Sequence, residues 1–392
     1  MVPHVLASAF PLDSHFQSAG YSKRSSRDRA GQPGSGARSA RRRRNSGGAE
    51  EQSIPSMVGN RMAWIDDSGL EKGASKIEVV RSVGRREVTL GIHDIDGTHS
   101  LIRDWPPVMS LSIHWAMVGG LNEDFDSEEN AERLIKEVGK EPLPETDSFC
   151  VESAGLCALT QMEYGMRRAV EMGNIPESSG IRLTQAEKET NAQIVKRIWD
   201  GEERFDDVQE PATLKTFIRE RTPRLFRLYE KILNGACRDR NTAAARKHPE
   251  KWRVAGSMEF MKHLRKCGVV NYFVTGAVIW PDGGMYEEVN ALGFDIGPGR
   301  MVEAVEGSSW EKKMPKDEII RELIRSQGVS PGQVLIVGDG RTEIRSGAEL
   351  GCVTISRLPK EAVRQRQLHV SFGANYILED FTDPFIYEMI QP

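Results

Sequence analysis

The chain has 392 residues, 39% of them hydrophobic and 28% charged, enough for two domains and a sizeable core. Its formal net charge of −4 excludes a chain built as a whole to bind nucleic acid. Its five cysteines form no CxxC pair, which excludes a disulfide framework or a structural zinc site and points to a reducing compartment. No uninterrupted apolar run approaches the roughly 18 residues of a membrane helix, so a soluble, cytoplasmic protein without a membrane partner is expected.

Residues 1–60 are rich in Ser, Gly and Arg and carry the run Arg41–Arg44. They hold too few large apolar residues to offset their ordering entropy, so a disordered basic tail is expected. The same composition also fits an organelle transit peptide, which would change the localisation. It fits a nucleic-acid tether too, or a gene-model extension ahead of a start at Met57 or Met62. A globular pattern begins near Ile77. Glu87 to Ile95 reads as a buried strand. Ser127–Val138, Phe149–Met172, Thr184–Trp199 and Leu214–Leu233 then show helical spacing, and Ser127 and Thr184 start with capping-box potential. From about Val254 strands and helices alternate. AGSMEFMKHLRKCG, MYEEVNALG, DEIIRELIRSQG and EIRSGAELG read as helices; VVNYFVTG, VLIVGDG, CVTISR and ANYILED read as strands. Such alternation implies a parallel sheet. The expected fold is α/β, a Rossmann-like three-layer core at 79–99 and 255–392, with an all-helical insertion at 100–254.

In an open parallel sheet, ligands gather beyond the carboxyl ends of the strands. Three strands end in polar groups: VTLGIHDID in Asp94 and Asp96, VVNYFVTG in Thr275-Gly276, and VLIVGDG in Asp339. Lys312, Lys313 and Lys316 precede a helix between the last two. If the first strand stops at Asp94, Gly97 frees the backbone to turn and Thr98 can cap that turn. Asp96 can then swing over the site. One carboxylate could attack a phosphorus atom and the other protonate the leaving oxygen. Taken alone, the pair is as compatible with a solvated turn. The convergence of three strand ends is what favours a site.

Asp94-Ile95-Asp96-Gly97-Thr98 resembles the first motif of the haloacid dehalogenase-like phosphohydrolase superfamily. Thr275-Gly276 resembles the second, Lys313 ahead of a Pro-containing helix start the third, and GDGRTE with Asp339 and Glu343 the fourth. The helical block after the first motif is similar to that family's cap. The resemblance covers roughly Val88 to Asp380. It implies Asp94 as nucleophile, Asp96 as general acid and then base, and Thr275 with the amides of Ile95 and Gly276 on the phosphoryl oxygens. Lys313 would steady Asp94, with Lys312 and Lys316 as open alternatives. Mg2+ would be held by Asp94, the Asp96 carbonyl and Asp339, with Glu343 as a further acid. Gly97, Thr98, Gly276 and Arg103 would border the substrate. The implied reaction is phosphomonoester hydrolysis on a small phosphorylated metabolite, such as a sugar phosphate or a phosphoglycolate-like compound. A phosphomutase or phosphotransferase, a dehalogenase and a non-catalytic binding module are the alternatives. Two departures stand out. His99 takes a place that is usually apolar in the family, and Glu343 takes that of an Asp. His93, on the opposite strand face from Asp94, reads as a packed histidine.

Overall fold

The computed structural model describes residues 63–68 and 75–392, apart from 103, 282 and 311. The tail at 1–60 and the expected substrate contact of Arg103 lie outside the described residues. Ten strands are described: β1 (Ala63–Asp66), β2 (Glu78–Val79), β3 (Arg85–Val88), β4 (Leu90–His93), β5 (Val270–Val278), β6 (Val305–Ser308), β7 (Val334–Gly338), β8 (Val353–Arg357), β9 (Tyr376–Leu378) and β10 (Ile390–Gln391). Between β4 and β5 come α1 (Trp105–Val118), α2 (Glu128–Ile135), α3 (Pro144–Glu152), α4 (Ala158–Glu171), α5 (Gln185–Trp199), α6 (Ala212–Leu233) and α7 (Asp239–Lys247). α8 (Ser257–Lys266) then leads into β5, and after β5 come α9 (Gly284–Ala291), α10 (Lys316–Ser326), α11 (Arg341–Leu350), α12 (Val363–Phe372) and α13 (Pro384–Met389).

The main sheet has the order β2-β9-β8-β7-β4-β5-β6. All neighbours are parallel except β2 on β9. Every residue of β4, β7 and β8 is buried, as strands covered by helices on both faces require. Val337, Ile355 and Phe260 pack on one face, and Ile92, Ile320 and Ile336 on the other. Each such side chain contributes about 1.5–3 kcal/mol by leaving water. The helical block has its own core around Met109, Phe149, Tyr164 and Phe226. Its two crossings run side by side, with Leu101 N donating to Trp252 O (2.8 Å) and Val254 N to His99 O (3.0 Å). The α/β class with a largely parallel sheet and an inserted helical block is therefore the one expected. No described helix is long and apolar enough to cross a membrane.

Several expected elements differ. The strand expected over Glu87–Ile95 breaks at Thr89, because β3 joins β1 and β10 in a separate antiparallel sheet. The helix expected over Phe149–Met172 is two helices. Gly155, at φ +94°, turns the chain between them. Thr184 does form a capping box with Glu187, and Ser127 caps α2. The strand expected to end at Thr275-Gly276 runs on to Val278, with an irregular register against β6 from Val274. α1 and β6 carry weak periodic signals and were not anticipated. Tertiary packing on α4 and β5 decides them.

Candidate active site

The site follows from strand register. His93 of β4 lies opposite Phe273 of β5 and Val337 of β7. Asp94 follows directly on this register, as Val274 and Gly338 follow on the neighbouring strands. Asp94 N still donates to Val337 O (2.9 Å), and then the chain turns. Ile95 O accepts from the amides of Thr98 (3.2 Å), His99 (2.9 Å) and Ser100 (2.9 Å). Gly97 sits at φ +78°, a left-handed conformation that favours glycine. Its carbonyl accepts from Arg357 Nη1 (2.9 Å).

The lysine on Asp94 is Lys316, and this corrects the assignment of Lys313. Lys316 Nζ donates to Asp94 Oδ1 (2.8 Å) and to Glu343 Oε2 (3.3 Å). Lys313 Nζ donates instead to Glu163 Oε2 of α4 (2.9 Å). Pro315 keeps the chain extended, α10 begins at Lys316, and the buried first turn of that helix faces the strand ends. Lys313 lies ahead of the turn and reaches the helical block. Burial works against charge on Lys316, yet Asp94 and Glu343 outweigh it and hold the ammonium above its ordinary value. Burial pushes the Asp94 carboxyl up, Lys316 pulls it down, and Glu343 pushes it up again.

Asp94, Asp339 and Glu343 bring carboxylate oxygens within 4.8 Å of one another. An all-oxygen donor set of this kind fits a hard divalent cation such as Mg2+. Glu343 also has structural work. Its Oε1 accepts from Gly340 N (2.6 Å) and so caps α11. The Thr98 hydroxyl donates to Asp339 Oδ1 (3.3 Å). Thr98 is buried, and this bond turns its hydroxyl toward the acid of the neighbouring strand. Thr275 Oγ1 accepts from Ala277 N (3.2 Å) in the irregular part of β5.

The Asp96 carboxyl stands apart from this acidic group. It is half-buried, and its charged neighbours are Glu288 of α9, Asp94, Arg238 and Lys316. Burial first, then Glu288 and Asp94, push its pKa well above the ordinary carboxylate value, which favours its protonated form. Glu288 itself is pushed up to about 7, chiefly by burial. Sequence reasoning did not find Glu288 or Arg238. Neither lies near a motif, and only the packing of α9 and the π-helical turn Asn234–Arg238 brings them to Asp96.

The helical block is seated on the strand ends. A Cβ on Gly276 would come within 2.6 Å of Leu156 O, in the turn between α3 and α4. Cys157 Sγ lies 3.1 Å from Ser308 Oγ at the end of β6. Arg204 Nη2 pairs with Asp317 at the start of α10 (3.0 Å). Gly276→Ala is therefore expected to cost about 1–3 kcal/mol, read as a lower Tm. An unchanged Tm would mean that the turn does not sit there.

No family model matches the chain, and no curated protein does. Solved structures are similar to it at low identity. One is described as a predicted phosphoglycolate phosphatase from Haemophilus somnus 129pt, 16% identical, with a TM-score of 0.39 over 77% of this chain and 98% of that one. A β-phosphoglucomutase from Clostridium difficile is 11% identical, with a TM-score of 0.39 over 77% and 96%. A haloacid dehalogenase-like hydrolase from Streptococcus pneumoniae is 12% identical, with a TM-score of 0.32 over 77% and 98%. At these values, function has to be read from the residues of the site.

Proposed function

We propose that the chain is a haloacid dehalogenase-type phosphatase, a Mg2+-dependent phosphomonoester hydrolase that works through an aspartyl-phosphate on Asp94. The observation that carries this reading is the pairing of Asp94, held by Lys316 at 2.8 Å, with Asp96 on the turn that follows it, where burial and Glu288 favour its protonated form. Of two carboxyls two residues apart, one is held by a cation and the other has its proton-bearing form favoured by burial, which is what an attacking group and a general acid need.

In the first step an Asp94 oxygen bonds to phosphorus and the bond to the leaving oxygen breaks. Asp96 gives its proton to that oxygen, and the alcohol departs. In the second step Asp96, now a carboxylate, takes a proton from water. The water oxygen bonds to phosphorus, the acyl-phosphate bond breaks, and Asp94 is regenerated with release of phosphate. Lys316 holds Asp94 in place and offsets charge on the phosphoryl group. Thr275 and the amides of Ile95 and Gly276 would receive the phosphoryl oxygens. Asp94 and Asp339 would hold Mg2+, with Glu343 beside them. When bound, the ion supplies charge that lets an anionic nucleophile approach an anionic ester.

The helical block lies over the strand ends, which favours a small phosphorylated metabolite over a phosphoprotein. A dehalogenase would have no need of a proton-bearing Asp96, since a halide leaves without one. The test is a screen of phosphate esters with Mg2+ and with chelator, with phosphate release as the readout. Chelation is expected to lower turnover on the order of a hundredfold or more, and added Mg2+ to restore it. Full turnover in chelator would rule out the metal. Transfer of the phosphoryl group to a sugar acceptor without phosphate release would replace hydrolysis by mutase chemistry.

A further inference from the structure

His99 is the residue by which the first motif departs from the family, and its side chain turns into the core. Both His93 and His99 are fully buried. His99 Nε2 lies 3.2 Å from His93 Nδ1. His99 Nδ1 lies 2.6 Å from Ser257 Oγ at the start of α8. His93 Nε2 lies 3.1 Å from Asn271 Oδ1 on β5. His99 also stacks on Phe381, with ring centroids 5.2 Å apart and planes 5° from parallel.

The direction of every bond in this chain is fixed from one end. Asn271 Nδ2 faces two carbonyls, Val269 O (3.3 Å) and Met301 O (3.4 Å), and can only donate to them. Asn271 Oδ1 must then accept, so His93 carries its hydrogen on Nε2 and accepts at Nδ1. His99 must donate from Nε2, which leaves its Nδ1 to accept from the Ser257 hydroxyl. Both imidazoles are thus neutral Nε2–H tautomers. Gly91 makes room for them. A Cβ there would come within 2.5 Å of Asn271 Oδ1 and 2.7 Å of His93 Nε2. A glycine inside a strand is otherwise unfavourable.

We propose that His93 and His99 are positioning residues: their direct hydrogen bond closes segment 93–99 into a ring that fixes Asp94 and Asp96 relative to one another before substrate binds. The role in turnover rests on the phosphatase reading above; the clasp itself does not. His93 anchors the strand end one residue before Asp94. His99 anchors the far end of the turn whose amides converge on Ile95 O. The pair lies between the anchors, so the chain's freedom there is removed by bonds that never touch substrate. Preorganisation of this kind acts on the reacting geometry, where a displacement of about 1 Å can cost on the order of a hundredfold in rate.

The test uses the full chain labelled with 15N at histidine. Both residues should show a protonated Nε2 and an accepting Nδ1, with a through-hydrogen-bond coupling between His99 Nε2 and His93 Nδ1. A Nδ1–H tautomer, an imidazolium or no coupling overturns the clasp. In kinetics, His99→Leu is expected to lower kcat tenfold to a hundredfold, on the order expected for lost positioning, with KM little changed. His99→Gln places an amide donor near the Nε2 position and should recover most of the loss. Equal losses in both variants, or a change in KM alone, overturn the positioning role. Where the Leu variant does not fold, the wild-type imidazole signals still decide. Phosphate release by the wild type tests the phosphatase reading separately, so the two ideas fail independently.

Discussion

Asp94→Asn is expected to lower turnover of a phosphate ester on the order of a thousandfold or more, with the fold intact. An amide has no anionic oxygen to attack phosphorus, and Lys316 is directed at position 94 rather than at a replacement carboxyl. The substitution keeps the side chain's shape. It also removes a carboxylate whose ionised form burial already disfavours, so Tm should move little. The Asn amide can still accept from Lys316 through its oxygen. Single-turnover phosphate release and calorimetry check the two halves. Wild-type turnover in the variant would sink the covalent mechanism, whereas a large fall in Tm would mean that Asp94 is chiefly structural.

The second large effect separates two lysines three residues apart. Lys316→Met is expected to lower kcat at least a hundredfold, because it removes the cation that holds Asp94 and offsets phosphoryl charge. It should also lower stability by about 3–5 kcal/mol, because Asp94 and Glu343 are left as buried acids without their partner. Lys313→Met breaks a pair with Glu163, whose buried carboxylate keeps Arg167 as a second partner, so the loss of stability should be smaller than at Lys316. Its turnover should change only a few-fold, through looser seating of the helical block. Kinetics and thermal melts on both variants settle which lysine belongs to the site. Equal loss in the two would overturn the assignment drawn from geometry.

The difference between these lysines shows where local sequence stops being informative. Lys312, Lys313 and Lys316 share a side-chain type and lie within five residues of one another. Which one enters the site depends on where the chain leaves its extended path at Pro315, and on α10 packing its Lys316 face toward β4. Asp94, Asp96 and Asp339 were legible because strand ends are local events. A β-branched run followed by acids and glycine marks both the strand and its stop. The partners of Asp96 were not legible. Glu288 and Arg238 lie on helices far along the chain, and only folding brings their charges close enough to move its pKa. The Thr98 hydroxyl likewise meets Asp339 only through the neighbouring strand.

By itself the sequence determined the α/β class, the succession of the core strands along the chain and the acids at their ends, because periodicity and turn chemistry act over a few residues. It also singled out His99 as a departure without a reason. Only the tertiary structure decided that reason. His99 meets Ser257, Phe381 and His93 inside the core, and each partner comes from a different element. The same holds for Gly91, which reads as a flaw in a strand until Asn271 and His93 fill the space that a Cβ would take. Contacts between segments distant in sequence carry no local signature, so the placing of Lys316, the charged neighbours of Asp96 and the His93–His99 contact emerge only when the sheet is assembled.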